Sequence, residues 1–198
     1  MAVSLVSTGV QFPDSTIQTT AAGASAVTLI STTTTTSSST VDIAFSGSYT
    51  HYQVICTNVF SASNNANASP QMAYSTDSFA TVSGWSDGIG WGVQLGSGSG
   101  WLAWDLQGGG TRWVTGNSTV PYTPGVMGNF MFPNAKSTTL YKFFQCVAGG
   151  ANYYQSYQRK TTSTTTGYNT NNTNALTGVR FYMDTGNIRG SFTLYGIN

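Results

Sequence analysis

The sequence has very few charged residues, since only 7% of its 198 positions carry Asp, Glu, Lys or Arg. All six acidic residues are Asp, and a single His is the only imidazole in the chain. The seven basic residues are scattered, which argues against a nucleic-acid backbone as partner. The lack of a repeat rich in Glu, Lys and Leu excludes a coiled coil. Few side chains remain that could carry protons in acid–base catalysis.

Long apolar segments are also lacking. No hydrophobic run approaches the about 20 residues of a membrane-spanning helix. The first six residues have neither a basic cluster nor a long apolar core, so we expect no signal peptide. Without export, we expect the two cysteines, Cys56 and Cys146, to be reduced and buried. A disulfide between two sheets is the alternative.

Residues that favour strands and turns make up most of what is present. Thr, Val, Tyr, Phe and Trp are abundant, Gly, Asn and Ser separate them, and no window shows helical spacing. The 39% hydrophobic content is enough for a core and argues against disorder. About ten short strands at this spacing predict an all-β fold, an antiparallel β-sandwich of jelly-roll type. The near-zero net charge is typical of proteins that neighbours cover in an assembly.

We divide the chain into an N-terminal arm, residues 1–24, and a β-sandwich domain, residues 25–198. The arm contains a Pro-Asp turn signal followed by small residues, so we expect it to be extended and to dock on another molecule. A frayed terminus is the alternative, but the apolar side chains of the arm need burial. The predicted anchoring residues of the arm are Val10, Phe12, Pro13, Asp14, Ile17 and Gln18.

Alternation of apolar and polar residues predicts the strands of the sandwich. Two apolar strand faces are predicted to lie in the core: Tyr52, Val54 and Cys56 on one strand, and Val179, Phe181 and Met183 on another. The Thr/Ser run at 32–40 is a linker by composition, although β-branched Thr also permits an edge strand. We predict a single strand at 152–159 and a long exposed loop at 161–174, where almost every residue is polar.

All five tryptophans fall within residues 84–113, among many glycines. Alternation places Trp104 on a core face, and Trp101 with Asp105 on the opposite face. An aromatic ring beside a carboxylate suits a sugar, which stacks on the ring and bonds to the acid. Core packing or a subunit contact is the alternative for these aromatics. The predicted ligand or partner surface comprises Trp85, Asp87, Trp91, Trp101, Asp105, Trp113 and Tyr168.

No residue pattern in the sequence predicts catalysis or metal binding. His51 has no evident acidic partner and no Ser-x-Gly elbow, and strand alternation separates it from Cys56. Asp77 and Asp87 lie in turn-like contexts, where Asp bonds its own backbone rather than acting in a carboxylate pair. The sequence has no His pair, no Cys-x-x-Cys motif and no calcium-loop spacing. We therefore expect no enzyme activity, no catalytic residue, no metal site and no cofactor.

Two segments resemble a known group of proteins. Residues 10–21, VQFPDSTIQTTA, are similar to the V-x-F-P-D-x-T-x-Q-T-T-A segment of bacteriophage virion proteins. Residues 190–197, GSFTLYGI, resemble the C-terminal strand of the same group, which often closes with L-Y-G-I. Residues 45–54 fit the early strand pair of the group, and residues 74–77 fit a strand that ends in an S-x-D turn. The resemblance therefore covers nearly the whole chain.

The resemblance implies a non-enzymatic structural protein of the virion, usually a homotrimer, assembled in the host cytoplasm. It implies a short tail or neck fibre or appendage, attached by its N-terminal arm, whose β-sandwich knob serves host attachment. A long fibre is disfavoured because the sequence lacks shaft repeats. The alternative is a capsid decoration, or cement, protein that stabilises the head. The expected partners are other virion proteins of the capsid, neck or tail and a host-surface glycan, with neither nucleic acid nor membrane insertion.

Overall fold

The residues that the computed structural model describes in full are 26–62, 68, 70–83, 125–149 and 173–198. Backbone strands alone are described at 4–6, 9–11, 17–18, 87–95, 100–105, 111–112, 150–154 and 157–169. These parts consist of strands and turns, and the strands pair antiparallel, so the predicted all-β class is confirmed. Within the same ranges, no helix is long and apolar enough to cross a membrane.

Fifteen strands follow one another along the described parts of the chain. The first three are β1 (Ser4–Val6), β2 (Gly9–Gln11) and β3 (Ile17–Gln18). The next six are β4 (Val27–Ser38), β5 (Thr40–Ala44), β6 (His51–Ser61), β7 (Pro70–Ser75), β8 (Asp87–Leu95) and β9 (Gly100–Asp105). The last six are β10 (Thr111–Arg112), β11 (Val126–Phe132), β12 (Lys142–Tyr154), β13 (Tyr157–Asn169), β14 (Gly178–Met183) and β15 (Ile188–Ile197).

These strands form three sheets. A small sheet has the order β1-β2-β3 and lies within the predicted arm, whose status as a separate unit stays a prediction. A four-stranded sheet has the order β10-β7-β14-β5. An eight-stranded sheet has the order β4-β15-β6-β11-β12-β13-β8-β9. The C-terminal strand β15 is therefore an interior strand of the largest sheet, between β4 and β6.

The core lies between the four-stranded sheet and the eight-stranded sheet. The ring of Phe181 on β14 has its centroid 5.3 Å from that of Phe130 on β11 and 5.2 Å from that of Phe192 on β15. Phe130 extends this aromatic cluster to Phe132 and Phe144 along the larger sheet. All five rings are fully buried. The two sheets thus face each other across an aromatic layer, as in a β-sandwich.

The two predicted core faces are confirmed. Their members are all buried: Tyr52, Val54, Cys56, Val179, Phe181 and Met183. The neighbours Gln53 and Ile55, on the other face of β6, are only half-buried. Alternation of apolar and polar residues predicted these faces correctly, because one face of each strand is sealed in the core and the other is not.

The polar stretch at 161–174 is not the exposed loop that its composition predicts. Strand β13 occupies most of it and pairs with β12 on one side and β8 on the other. The single strand predicted at 152–159 is also wrong, because the chain reverses between Tyr154 and Tyr157, which pair with each other. Thr is β-branched and fits a strand well, so backbone pairing on both sides outweighs the lack of an apolar pattern.

The Thr/Ser run at 32–40 belongs mainly to β4, which is an edge strand of the eight-stranded sheet. The edge-strand alternative is therefore confirmed, and the linker interpretation is wrong. The hydroxyl of Thr32 bonds that of Thr193, and the hydroxyl of Thr34 bonds that of Ser191, both across the β4–β15 pair. Such cross-strand hydroxyl pairs add to the stability of the backbone ladder.

Phe181→Ala should lower the free energy of unfolding by about 3–5 kcal/mol, because it removes a buried ring that contacts the opposite sheet. Phe181→Leu should cost less, because it refills part of the space. Urea unfolding curves measure both losses. Thr138→Ala, at an exposed position, is the control and should stay within about 0.5 kcal/mol of the wild type. A loss as small as that of the control would contradict the role of Phe181 in the core.

Candidate functional site

The eight-stranded sheet has one face on the core and an opposite face, which we call the outer face. Residues directly opposite each other in antiparallel strands share a face. One such row crosses all eight strands on the outer face and consists of Thr32, Thr193, Ile55, Asn129, Val147, Thr164, Trp91 and Ala103. The adjacent row contains Val54, Phe130 and Cys146, which are buried in the core.

Predicted ligand-surface residues occupy the β8–β9 end of the outer face. Trp91 on β8 is opposite Ala103 on β9. Trp101 and Asp105 lie two positions on either side of Ala103 and are opposite other β8 residues. Both are therefore diagonal neighbours of Trp91, with Cα atoms about 7–8 Å away. The register brings two tryptophan positions and one carboxylate position together on one face.

Asp87 and Tyr168 add a second group at the same end. The two residues are directly opposite each other in the β8–β13 pair and share the outer face with Trp91. Trp104 is opposite Gly90 and therefore belongs to the other face, as alternation in the sequence predicts. The remaining members of the predicted surface lie outside the described residues: Trp85 and Trp113.

The predicted anchoring residues fall in and around the small sheet. Val10 on β2 is opposite Leu5 on β1 and also opposite Gln18 on β3. Ile17 on β3 is opposite Gln11 on β2. The other predicted anchoring residues lie outside the described residues: Phe12, Pro13 and Asp14. The strand pairing thus groups Val10, Ile17 and Gln18, and the anchoring role itself stays a prediction.

The fully described part of the outer face is neutral and partly apolar. Its positions are Val27, Leu29, Thr32, Thr34, Ser191, Thr193, Tyr195, Ile197, His51, Gln53, Ile55, Thr57, Met127, Asn129, Met131, Phe143, Gln145, Val147 and Gly149. None of these described positions carries Asp, Glu, Lys or Arg. Met127 is 59% exposed, Val147 47% and Phe143 44%, which is high for large apolar side chains.

A hollow of about 360 Å³ lies near the centre of this face, where β6, β11 and β12 run side by side. Ile55, Met127, Asn129 and Val147 are among the residues that line it. Gly149 also borders the hollow and brings no side chain to fill it. The hollow is therefore a mainly apolar cavity of a size that accommodates one side chain or a small ligand.

His51 is held by the backbone of a neighbouring turn. Its Nδ1 accepts a hydrogen bond of 3.1 Å from the backbone N–H of Asn134. Cys56 on the same strand is buried in the core, so the two side chains lie on opposite faces, as predicted. Among the residues that the structure describes, no cluster of three or more His, Cys, Asp or Glu side chains could hold a metal ion.

Other described charged side chains bind close neighbours. Arg180 on β14 donates from Nε and Nη2 to the two carboxylate oxygens of Asp42 on β5, at 2.6 Å each. This bidentate pair raises the pKa of Arg180. Lys136 and Lys142 each donate to backbone carbonyls, and burial lowers the pKa of both amines. These charges thus hold strands and turns together, away from the outer face.

Asp77 closes the turn that follows β7. Its carboxylate accepts a hydrogen bond from the Ser75 hydroxyl at 2.8 Å and from the Thr81 backbone N–H at 3.0 Å to each oxygen. The Thr81 hydroxyl also donates to it. These hydrogen bonds hold the pKa of Asp77 below its usual value. The Thr81 hydroxyl contributes most, followed by the Thr81 amide and the Ser75 hydroxyl. The prediction that Asp77 bonds its own turn is confirmed.

Both cysteines are free and buried, which confirms the expected reduced thiols. Cys56 and Cys146 lie on β6 and β12, with β11 between them. Burial raises the pKa of each thiol, so neither forms the reactive thiolate readily. The two residues behave as small apolar side chains of the core.

Thr81→Val should raise the pKa of Asp77, because it removes the hydroxyl donor and keeps the side-chain shape. The folded pKa lies below the unfolded one, so the Asp77 carboxylate stabilises the fold above the unfolded value of about 3.9. That contribution is lost as the pH falls through the folded pKa, and the variant should lose it at higher pH. An NMR titration of the Asp77 carboxyl measures the shift. Thr138→Val should leave it unchanged, and no shift in Thr81→Val would contradict the assigned contacts.

In the folded protein, neither Cys56 nor Cys146 should react with Ellman's reagent at about pH 8, and both should react after unfolding in guanidinium. The reason is that burial blocks access and disfavours the thiolate. Ser46→Cys, at an exposed position, is the control and should react at once. Rapid reaction of either native thiol would show that the core assignment is wrong.

A scan against models of protein families found no match to this chain, and neither did searches of curated proteins and of solved structures.

Proposed function

We propose that the chain is a structural protein of a bacteriophage particle. In this proposal it is a short tail or neck fibre or appendage that binds the host surface through its β-sandwich and acts without catalysis. The resemblance of residues 10–21 and 190–197 to virion proteins supports the particle assignment. The arm, residues 1–24, would attach the protein to its neighbours, and the copies would form a homotrimer.

The observation that carries host-surface binding is the grouping of Trp91, Trp101 and Asp105 on one sheet face. The Asp87–Tyr168 pair extends the group on the same face. Aromatic rings offer an apolar surface against which a sugar ring stacks, and carboxylates accept hydrogen bonds from its hydroxyls. The combination favours a neutral glycan as the ligand of the β8–β9 end.

We further propose that the sandwich is of jelly-roll type. Consecutive strands often change sheet: β5 and β7 belong to the four-stranded sheet, and β6 between them belongs to the eight-stranded one. The same alternation recurs at β13, β14 and β15. Repeated crossing between two antiparallel sheets is typical of Greek-key and jelly-roll connections.

A capsid decoration protein is the second candidate function. The neutral outer face with exposed Met127, Val147 and Phe143 favours it, because such a surface suits a subunit that its neighbours cover. A decoration protein would cement the head, and its loss would make capsids fragile. A fibre would act at the tail or neck, and its loss would stop adsorption.

Antibody labelling of phage particles in electron micrographs tests both candidates. Label at the tail or neck supports the fibre, and label over the head supports the decoration protein. Particles without any label would overturn the virion assignment. Removal of residues 1–24 should abolish incorporation into particles, and normal incorporation would contradict the anchoring arm.

Trp101→Ala should weaken binding to bacterial surface polysaccharide about tenfold, the effect of losing an aromatic contact of about 1.4 kcal/mol. The measurement uses purified protein on an array of neutral bacterial surface polysaccharides, followed by surface plasmon resonance. Tyr182→Ala is the matched control, because Tyr182 is an aromatic residue on the four-stranded sheet, away from β8 and β9. Equal loss in both variants, or none in Trp101→Ala, would contradict the proposed glycan surface.

A further inference from the structure

We propose that the outer face between β4 and β12 is the surface through which one copy of this chain contacts another. The contact is centred on the hollow lined by Ile55, Met127 and Val147. The inference rests on the proposed function in one respect, because it assumes that the chain self-associates. It then identifies the surface through which the copies meet. It leaves the β8–β9 end, with its tryptophan and carboxylate positions, for the ligand.

The size of this surface fits a stable contact. Five strands, β4, β15, β6, β11 and β12, lie side by side in it. At about 4.8 Å per strand and about 3.3 Å per residue over about ten residues, the face measures about 24 by 33 Å. This is about 800 Å², the area that each partner buries in an ordinary stable complex.

The lack of charge on this surface favours an identical copy as the partner. When copies pack through this face around a symmetry axis, residues near the axis lie close to their own counterparts, and like charges there would repel. Arg189, near the start of β15, has its guanidinium 4.1 Å from the centre of the ring of the buried Phe60. The Asp42–Arg180 pair lies on the other sheet. A highly charged partner would find no counter-charge on this face.

The surface carries both a large exposed apolar side chain and a hollow. Phe143 is a large exposed side chain four positions along β12 from Val147, which borders the hollow. Four residues of strand span about 13 Å. In the proposed contact, the Phe143 ring of one copy lies over the hollow of the next copy around the three-fold axis of the trimer. Burial of Phe143 and Met127 in this way removes two large exposed apolar side chains of the face from water.

The polar side chains of the surface already bond one another. The Gln53 amide donates to the Asn129 side-chain oxygen at 2.8 Å. The hydroxyls of Thr32 and Thr193 form a second pair across β4 and β15. Polar groups that hold internal partners lose less when a second copy displaces water. The polar content of the face is therefore compatible with burial.

Val147→Lys tests the contact, because it places a positive charge beside the hollow at an exposed position. Light scattering after size exclusion should give a multiple of the single-chain mass for the wild type and the single-chain mass for the variant. Val82→Lys is the matched control, since Val82 is also an exposed Val and lies outside the eight-stranded sheet. It should keep the mass of the wild type. Met127→Lys is a second variant with the same expected loss, and circular dichroism establishes that each variant folds.

A wild-type chain that stays monomeric at its highest soluble concentration would overturn the proposed contact. So would folded Val147→Lys and Met127→Lys variants that both keep the mass of the wild type. These outcomes are independent of the labelled particles, which test the virion assignment. A chain found on particles but monomeric in solution would lose this contact alone, and an oligomer absent from particles would lose the virion assignment alone.

Discussion

The aromatic contact between the two sheets is the interaction on which the rest of the structure depends. Phe181 is the ring of the smaller sheet that reaches both Phe130 and Phe192 of the larger one. Each sheet has one apolar face that must be covered, and these rings cover both at once. The same arrangement leaves the outer face of the larger sheet without a covering layer from the four-stranded sheet. The surface proposed for binding is thus a consequence of how the core forms.

The sequence predicted strands well where one face is sealed and poorly where neither face shows a pattern. On β14, Val179, Phe181 and Met183 alternate with polar residues, and this alternation matches their burial. On β13, Thr occupies both faces, so no periodicity marks the strand. Its pairing with β12 and β8 comes from the backbone, which every residue type carries. Composition alone could not distinguish this strand from a polar loop.

The sequence predicted which residues belong to the candidate site, but not which of them lie next to each other on the sheet. Alternation within β9 is a local property, and it predicted that Trp101 and Asp105 share a face. The pairing of Asp87 with Tyr168 joins residues that are far apart in the sequence. It depends on the register between β8 and β13, and a slip of one residue would move every side chain to the other face. The pairing register is set only when the whole sheet assembles, so no local sequence pattern could predict it. The hollow at Val147 was missed for the same reason, because three separate strands form it.

Several of the few charged side chains bind partners within the fold. Asp42 and Arg180 join two neighbouring strands, Asp77 closes a turn, and Lys142 binds backbone carbonyls. On the described outer face, hydroxyl and amide pairs take the place that ion pairs hold elsewhere. The proposed contact with a second copy of the chain suits such a face, because it would leave a fixed charge there without a counter-charge. The two proposed contacts differ in position, since the glycan uses the β8–β9 end and the second copy uses the strands from β4 to β12. Strand β13 lies between the two areas, so one subunit has room to bind both.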